Sequence, residues 1–182
     1  VSYSFTFSGE PIPVSSHQVG TLPYLNPSFG AAYMMSVALE LAVTVTGAEN
    51  QFQNLSFVSD PSVTLGVGAT VTITARPSGL ATTAVPMVTG TGSVAPYTGM
   101  LGYTGPDALT VGPGSGSDDQ ISTITGTNPF DPASTYIGTG SFGVDLTDSL
   151  QTSLASTGAF GPENPDVSGA TLSGTVTITY VW

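Results

Sequence analysis

An all-β fold, an antiparallel β-sandwich of jelly-roll-like form, is what this sequence predicts, and three observations predict it. Apolar residues recur at every second position in several stretches, the period that a strand requires and a helix does not. Glycine (23 residues) and proline (14) are abundant, and Ser and Thr fill roughly a quarter of the 182 positions, the make-up of many strands joined by turns. There is no cysteine, so a chain of this length must hold its core by burial alone, with no disulfide and no thiolate-bound metal.

The elements follow in order. "VSYSFTF" sets Tyr3, Phe5 and Phe7 against Ser2, Ser4 and Thr6 and predicts a strand over residues 1–8. "GEPIPVSSHQVG" carries two prolines that interrupt any ladder and is expected to be a connector over 9–21. The sandwich domain is expected over 22–182. It opens with the turn-rich "LPYLNPSFG" and a long strand from Met35 to Thr46, with Val37, Leu39, Leu41, Val43 and Val45 on one face and Ala38, Glu40, Ala42 and Thr44 on the other.

"NQFQNLSFVSD" changes phase near Asn54 and predicts a bulged strand through Phe52, Leu55 and Phe57. Val63–Val67 and Thr70–Ala75 read as two strands joined tightly through "GVG" and ended by Pro77 and Gly79. Between Leu80 and Gly116 short apolar pieces sit among glycines, which predicts loops with one or two edge strands. Phe142, Val144 and Leu146 alternate, "QTSLASTGAFGPENPDVSGA" reads as loop, and the closing "TLSGTVTITYVW" puts Val176, Ile178 and Tyr180 on one face, with Thr175, Thr177, Thr179 and Val181 on the other. Both terminal strands are expected in sheets.

Charge bounds the partners. Twelve acidic residues face a single Arg76 and no lysine, for a formal net charge of −11. Proteins bind nucleic acid by displacing counterions with Lys and Arg, so nucleic acid is excluded, and anionic membrane surfaces are disfavoured for the same reason. Charged residues are only 7% of the chain. A surface of Ser, Thr, Gly and Asn fits an extracellular setting better than a cytosolic one, where mixed charges maintain solubility. No apolar run approaches the ~18 residues of a membrane span. The start at Val1 fits a mature product whose signal peptide has been removed.

Reaction chemistry is hard to find. His17 is the only histidine and lies in the Pro-rich connector, where it reads as a solvated loop residue and not as the base of a triad. No HExxH, phosphate loop or dinucleotide fingerprint occurs. The carboxylates fall mostly in "SDP", "GPD" and "FDP", where Asp caps a turn, so a glycosidase pair is a minor reading and the chain is read as no enzyme. Asp118 and Asp119 beside "GPGSGS", with Asp145 and Asp148 in "VDLTD", are the calcium candidates, all hard oxygen donors. No other cofactor is indicated. Tyr97, Tyr103, Tyr136 and Trp182 are candidates for stacking on a glycan. The sequon Asn54-Leu55-Ser56 lies in a predicted strand and needs no glycan to explain it.

At "LPYLNPSFGAAYMMSVALELAVTVTG" the chain resembles the bacterial surface domain called choice-of-anchor E, through Leu22, Pro23, Asn26, Pro27, Ser28, Gly30 and Val37. "YIGTGSFGVDL" (Tyr136 to Leu146) and the closing "SGTVTITYVW" fit as well. After the glycine, where family members tend to carry small aliphatics, this chain has Ala31, Ala32, Tyr33, Met34 and Met35. The resemblance implies an exported β-rich domain held at the cell surface by varied C-terminal sorting signals. It implies no catalytic residues and no ligand.

The expected function is therefore structural: a subunit of the cell surface or extracellular matrix. Tyr3, Phe5 and Phe7 are the candidate subunit contacts. If residues 1–8 complete a neighbour's sheet by strand addition, copies join head to tail into a filament of this chain alone. If they fold into their own sheet, the protein is a monomeric anchored adhesion module for a glycan or protein partner. Assembly into a filament is the expected arrangement, and the monomeric module is the alternative.

Overall fold

The computed structural model describes residues 1–13, 16–27, 35–76, 80–125 and 135–182. Within them ten strands and no helix form: β1 (Ser2–Pro11), β2 (His17–Pro23), β3 (Ser36–Gln53), β4 (Asp60–Ala75), β5 (Ala81–Ala84), β6 (Met87–Val94), β7 (Ala108–Thr125), β8 (Ser141–Ala155), β9 (Glu163–Asp166) and β10 (Thr171–Val181). They make two antiparallel five-stranded sheets. One has the order β1-β10-β3-β7 with β9 also on β3; the other has β2-β8-β4-β5 with β6 also on β4. The first strand pairs with the last, the second with β8, the third with β7 and the fourth with β5 and β6, which is the winding of a jelly roll.

Alternation decides which face is buried. Val37, Leu39, Leu41, Val43 and Val45 of β3 and Leu172, Val176, Ile178 and Tyr180 of β10 are buried against Val63 to Ala75 of β4 and Phe142, Val144 and Leu146 of β8. Two side chains stitch the layers with hydrogen bonds. Thr82 Oγ1 donates to the Leu39 carbonyl at 2.8 Å, and Tyr180 Oη donates to the Pro23 carbonyl at 2.7 Å. Burial raises the Tyr180 hydroxyl far above its ordinary value, and it pushes Tyr136, packed edge-on against Phe142, up to about 12.

The opposite faces carry hydroxyls in register. On the first sheet Ser4 lies beside Thr177, Thr6 beside Thr175 and Ser8 beside Ser173, Ser173 in turn beside Thr44, and Thr44 beside Ser117. Hydrogen bonds across the strands, Ser2 to Thr179 and Thr44 to Ser117, both 2.8 Å, knit this surface together. On the second sheet Thr64 meets Thr91 and Thr72 meets Thr83. Side chains that branch at Cβ favour the extended backbone, so this polar surface itself promotes strand formation.

Several expectations are corrected. Most of the connector expected over 9–21 is strand, because β1 runs on to Pro11 and β2 already begins at His17. Both prolines that bound these strands sit in edge strands, where no ladder partner needs their missing N–H. The "GVG" at 66–68 is not a turn: β4 is continuous, and Gly68 is required because a Cβ there would overlap the Pro86 carbonyl. The long strand runs to Gln53, and its two bulges lie between Thr46 and Asn50, ahead of the position near Asn54 where a bulged strand was expected. Residues 54–59 are loop, not strand.

The largest correction concerns "GPGSGS", read as loop and found inside β7. Here β6 lies against β7 where the two sheets meet, and glycines provide the close approach. A Cβ at Gly90 would strike Val111, at Gly92 Leu109 and at Gly114 Val88, while one at Gly116 would overlap the Met87 carbonyl. Each strand's glycines thus receive the other's side chains. "QTSLASTGAFGPENPDVSGA", also read as loop, contains the end of β8 and all of β9. Pro77, Gly79, Ser28, Gly30 to Met34 and the "FDP" turn lie outside the described residues.

Candidate functional site

Residues 1–8 pair antiparallel with β10 of the same chain, from Ser2 opposite Thr179 to Ser8 opposite Ser173. Phe7 is buried over Gly174, where an added Cβ would lie 2.9 Å from its ring, and Phe5 covers Gly20 of β2 at 2.5 Å by the same measure. Tyr3 meets Tyr180 edge-on at 6.2 Å. The three candidate contact residues therefore close the sandwich on the side away from the β6–β7 seam. His17 Nε2 lies 3.0 Å from Glu10 Oε2 and ties the start of β2 to the end of β1.

The four calcium candidates are not brought together. Asp118 and Asp119 lie in β7 of one sheet, Asp145 and Asp148 in β8 of the other. Asp118 accepts from Val85 N at 2.7 Å and also from Asp119 N and Gln120 Nε2, which lower its pKa. Asp145 is held by both Arg76 Nε and Nη2 at 2.6 Å. Among the described residues no three His, Cys, Asp or Glu side chains are placed to hold a metal ion. Calcium and EDTA are accordingly expected to leave the melting temperature alike, whereas a filled calcium site would raise it by several degrees.

The aromatic candidates are likewise dispersed. Tyr136 is fully buried, Tyr97 and Tyr103 belong to the loop after β6, and Trp182 follows β10 at the pole where β3 starts. Asn54 is fully buried, with Nδ2 donating to the Val58 and Ala95 carbonyls, so the sequon offers no acceptor in the folded chain.

What the sequence did not reveal is a polar cluster beneath one pole. The jelly-roll winding brings three loops there: 54–59 between β3 and β4, 95–107 between β6 and β7, and 156–162 between β8 and β9. Asp60, fully buried, accepts from Ser62 N and also from Thr157 N and Oγ1, Gly158 N and Ala159 N, and these donors, the Ser62 amide foremost, hold its pKa far below the ordinary value. Asp107, also fully buried, accepts from Thr98 N and Oγ1 and is lowered in the same way. Gln53 donates to the Met100 carbonyl and accepts from Gly102 N and Tyr103 N.

Each buried polar side chain thus fixes a loop distant in sequence. The loops also bond to one another, Leu55 N to the Phe160 carbonyl at 2.7 Å and Tyr97 N to the Ser56 carbonyl at 2.8 Å. At their tips stand Phe57 (86% exposed), Leu101 (72%), Met100 (71%), Phe160 (62%) and Val58 (61%), five of the six most exposed large hydrophobics among the described residues. Tyr103 beside them has φ 54°, an uncommon left-handed conformation for a bulky residue. A second feature, on the outer face of the first sheet, is an open depression of about 800 Å³ bordered by Thr6, Ala42, Thr44, Asp119, Ser173 and Thr175.

No family model matches the chain, and no curated protein does. Among solved structures the chain is similar to one of infectious bursal disease virus, Gt strain, at 13% identity and a TM-score of 0.25, over 98% of this chain and 30% of that one. A structure of the Gx strain gives 11% identity and a TM-score of 0.17, over 98% of this chain and 40% of that one. The chain therefore spans well under half the length of these viral chains, and likeness at such scores carries no argument about it. Among the described residues no helix is long and apolar enough to cross a membrane.

Proposed function

We propose that this chain is a non-catalytic structural β-sandwich of an extracellular surface or matrix, which assembles with its own copies by exchange of β1. Within one copy β1 lies against its own β10, as in a monomer, and the observation that supports exchange is the kind of seat it occupies. It is an edge strand whose ladder to β10 and whose ring contacts at Gly20 and Gly174 are the same whichever copy supplies the strand. A copy that lends β1 to a neighbour must receive one in return, and a lending that does not close makes an open head-to-tail row. The extracellular setting rests on the charge-poor, hydroxyl-rich composition and on the resemblance to choice-of-anchor E. The non-catalytic reading is supported by the engagement of Asp60, Asp107, Asp118 and Asp145 in structural bonds.

Light scattering and negative-stain microscopy of the full chain and of a chain lacking residues 1–8 test it. Filaments that disappear on truncation, with the remainder still folded, are the expected result. A full chain that stays monomeric while the truncation unfolds would confine β1 to its own core. In either arrangement Phe7→Ala is expected to destabilise the fold by about 3 kcal/mol, measured by urea unfolding, because the ring leaves a buried void over Gly174.

A second reading is a monomeric adhesion module, favoured by the hydroxyl-bordered depression, whose lining suits an uncharged polar ligand such as a glycan. Glycan binding that Ala42→Arg abolishes would establish it.

A further inference from the structure

The pole bearing Phe57, Val58, Met100, Leu101 and Phe160 has no role in strand exchange, and the chain invests most of its buried polar groups in shaping it. We infer that this pole inserts shallowly into the interface of a membrane of uncharged lipids.

Three observations select a lipid surface as the occupant. The loops at 54–59, 95–106 and 156–162 contain no charged residue in a chain of net charge −11, and of the carboxylates that follow them Asp60 and Asp107 are fully buried, while Glu163 is half-buried and accepts from Asn50 Nδ2. Hydrocarbon requires backbone polar groups to be satisfied internally, and these loops meet much of that demand from below: Gln53, Asn54, Asp60 and Asp107 take the carbonyl of Met100, those of Val58 and Ala95, and the amides of residues 98, 102, 103 and 157–159. The apolar side chains stand out as separate tips, and half-buried Tyr97 and Tyr103 sit in the same loop, the residue type that favours the headgroup level.

The absence of lysine also fixes the lipid preference. Peripheral proteins are usually drawn to anionic headgroups through Lys and Arg, whereas this chain is repelled by them. Added anionic lipid must therefore weaken binding, and salt must restore it.

Co-sedimentation with phosphatidylcholine vesicles tests the inference on three proteins: the full chain, Phe57→Ser with Phe160→Ser, and Met100→Ser with Leu101→Ser on a different loop. The full chain is expected to bind. Each phenylalanine removed lowers partitioning about tenfold, so the first double variant loses roughly a hundredfold, and phosphatidylglycerol weakens what remains. If a double variant does not fold, Phe57→Trp gives the reading instead: its emission shifts to the blue with vesicles, while Trp182 at the opposite pole is unaffected. No vesicle binding by the full chain, or equal binding by the variants, overturns the inference. A dimer in sedimentation equilibrium that both double variants abolish, without vesicle binding, assigns the pole to a second copy. None of these outcomes depends on the filament result, which is read from scattering without lipid.

Discussion

Gly116→Val is expected to lower stability by about 3 kcal/mol or more, seen as a fall in the urea midpoint at unchanged slope. The valine Cβ would overlap the Met87 carbonyl, and what it meets is the backbone of β6, which cannot rotate away. Relief requires β6 to lift from β7, opening the seam where the two sheets join along Gly90, Gly92, Gly114 and Gly116. Gly158→Ala is the control. Nothing lies within 4 Å of a Cβ there and its φ is not left-handed, so alanine is expected to be neutral or to add a few tenths of a kcal/mol by restricting the unfolded chain. Equal effects of the two substitutions would mean that β6 and β7 are not in close contact.

Asp60→Ala is the second large effect. It leaves the amides of Ser62, Thr157, Gly158 and Ala159 facing a buried void without an acceptor, and a fall of roughly 10 °C in melting temperature is expected. The same carboxylate makes the fold acid-sensitive. The folded-state pKa values of Asp60, Asp107, Asp118 and Asp166 all lie below the ordinary value of 3.8. In that range the unfolded chain binds more protons than the folded one, so stability rises with pH. Their contribution is complete above about pH 5 and drains away as the pH falls below about 4, with that of Asp60, the furthest depressed, lost last. Melting curves between pH 2 and 6 check this: Asp60→Ala must flatten the acid limb, and an unaltered limb would show that Asp60 does not carry it.

Much of the architecture was legible. Val37 to Val45, Phe142 to Leu146 and Val176 to Tyr180 alternate in the sequence and are buried as the alternation requires. A half-buried sheet dictates a period of two, and that signal is local. The glycine-rich stretch at 112–116 was misread because glycine is the residue of both turns and close backbone approach, and only the partner strand tells which applies. Phe57 was misread for a related reason. An aromatic residue beside Leu55 looks like a strand face until Asn54, bonded to Ala95 across the loops, turns the chain toward solvent.

The polar cluster left less trace. Asp60 and Asp107 stand in "SDP" and "GPD", and the turn-capping expected there holds for Asp60 and Ser62 N. Their other partners, Thr157 to Ala159 and Thr98, are ordinary loop residues with no motif. The pairings at stake span up to 99 positions.

The sequence by itself determined the all-β class, the inward and outward faces of the long strands, the want of positive charge and the hydroxyl-rich surface, because each depends on residue type and nearest-neighbour period. Tertiary structure decided that residues 1–8 lie against β10, that the four aspartates proposed for calcium fall on two sheets, and that three uncharged loops meet over Asp60 and Asp107. The reason is that jelly-roll winding joins strands from opposite ends of the chain, and whether a carboxylate is a ligand, an ion-pair partner or a buried anchor is settled by what that winding places beside it.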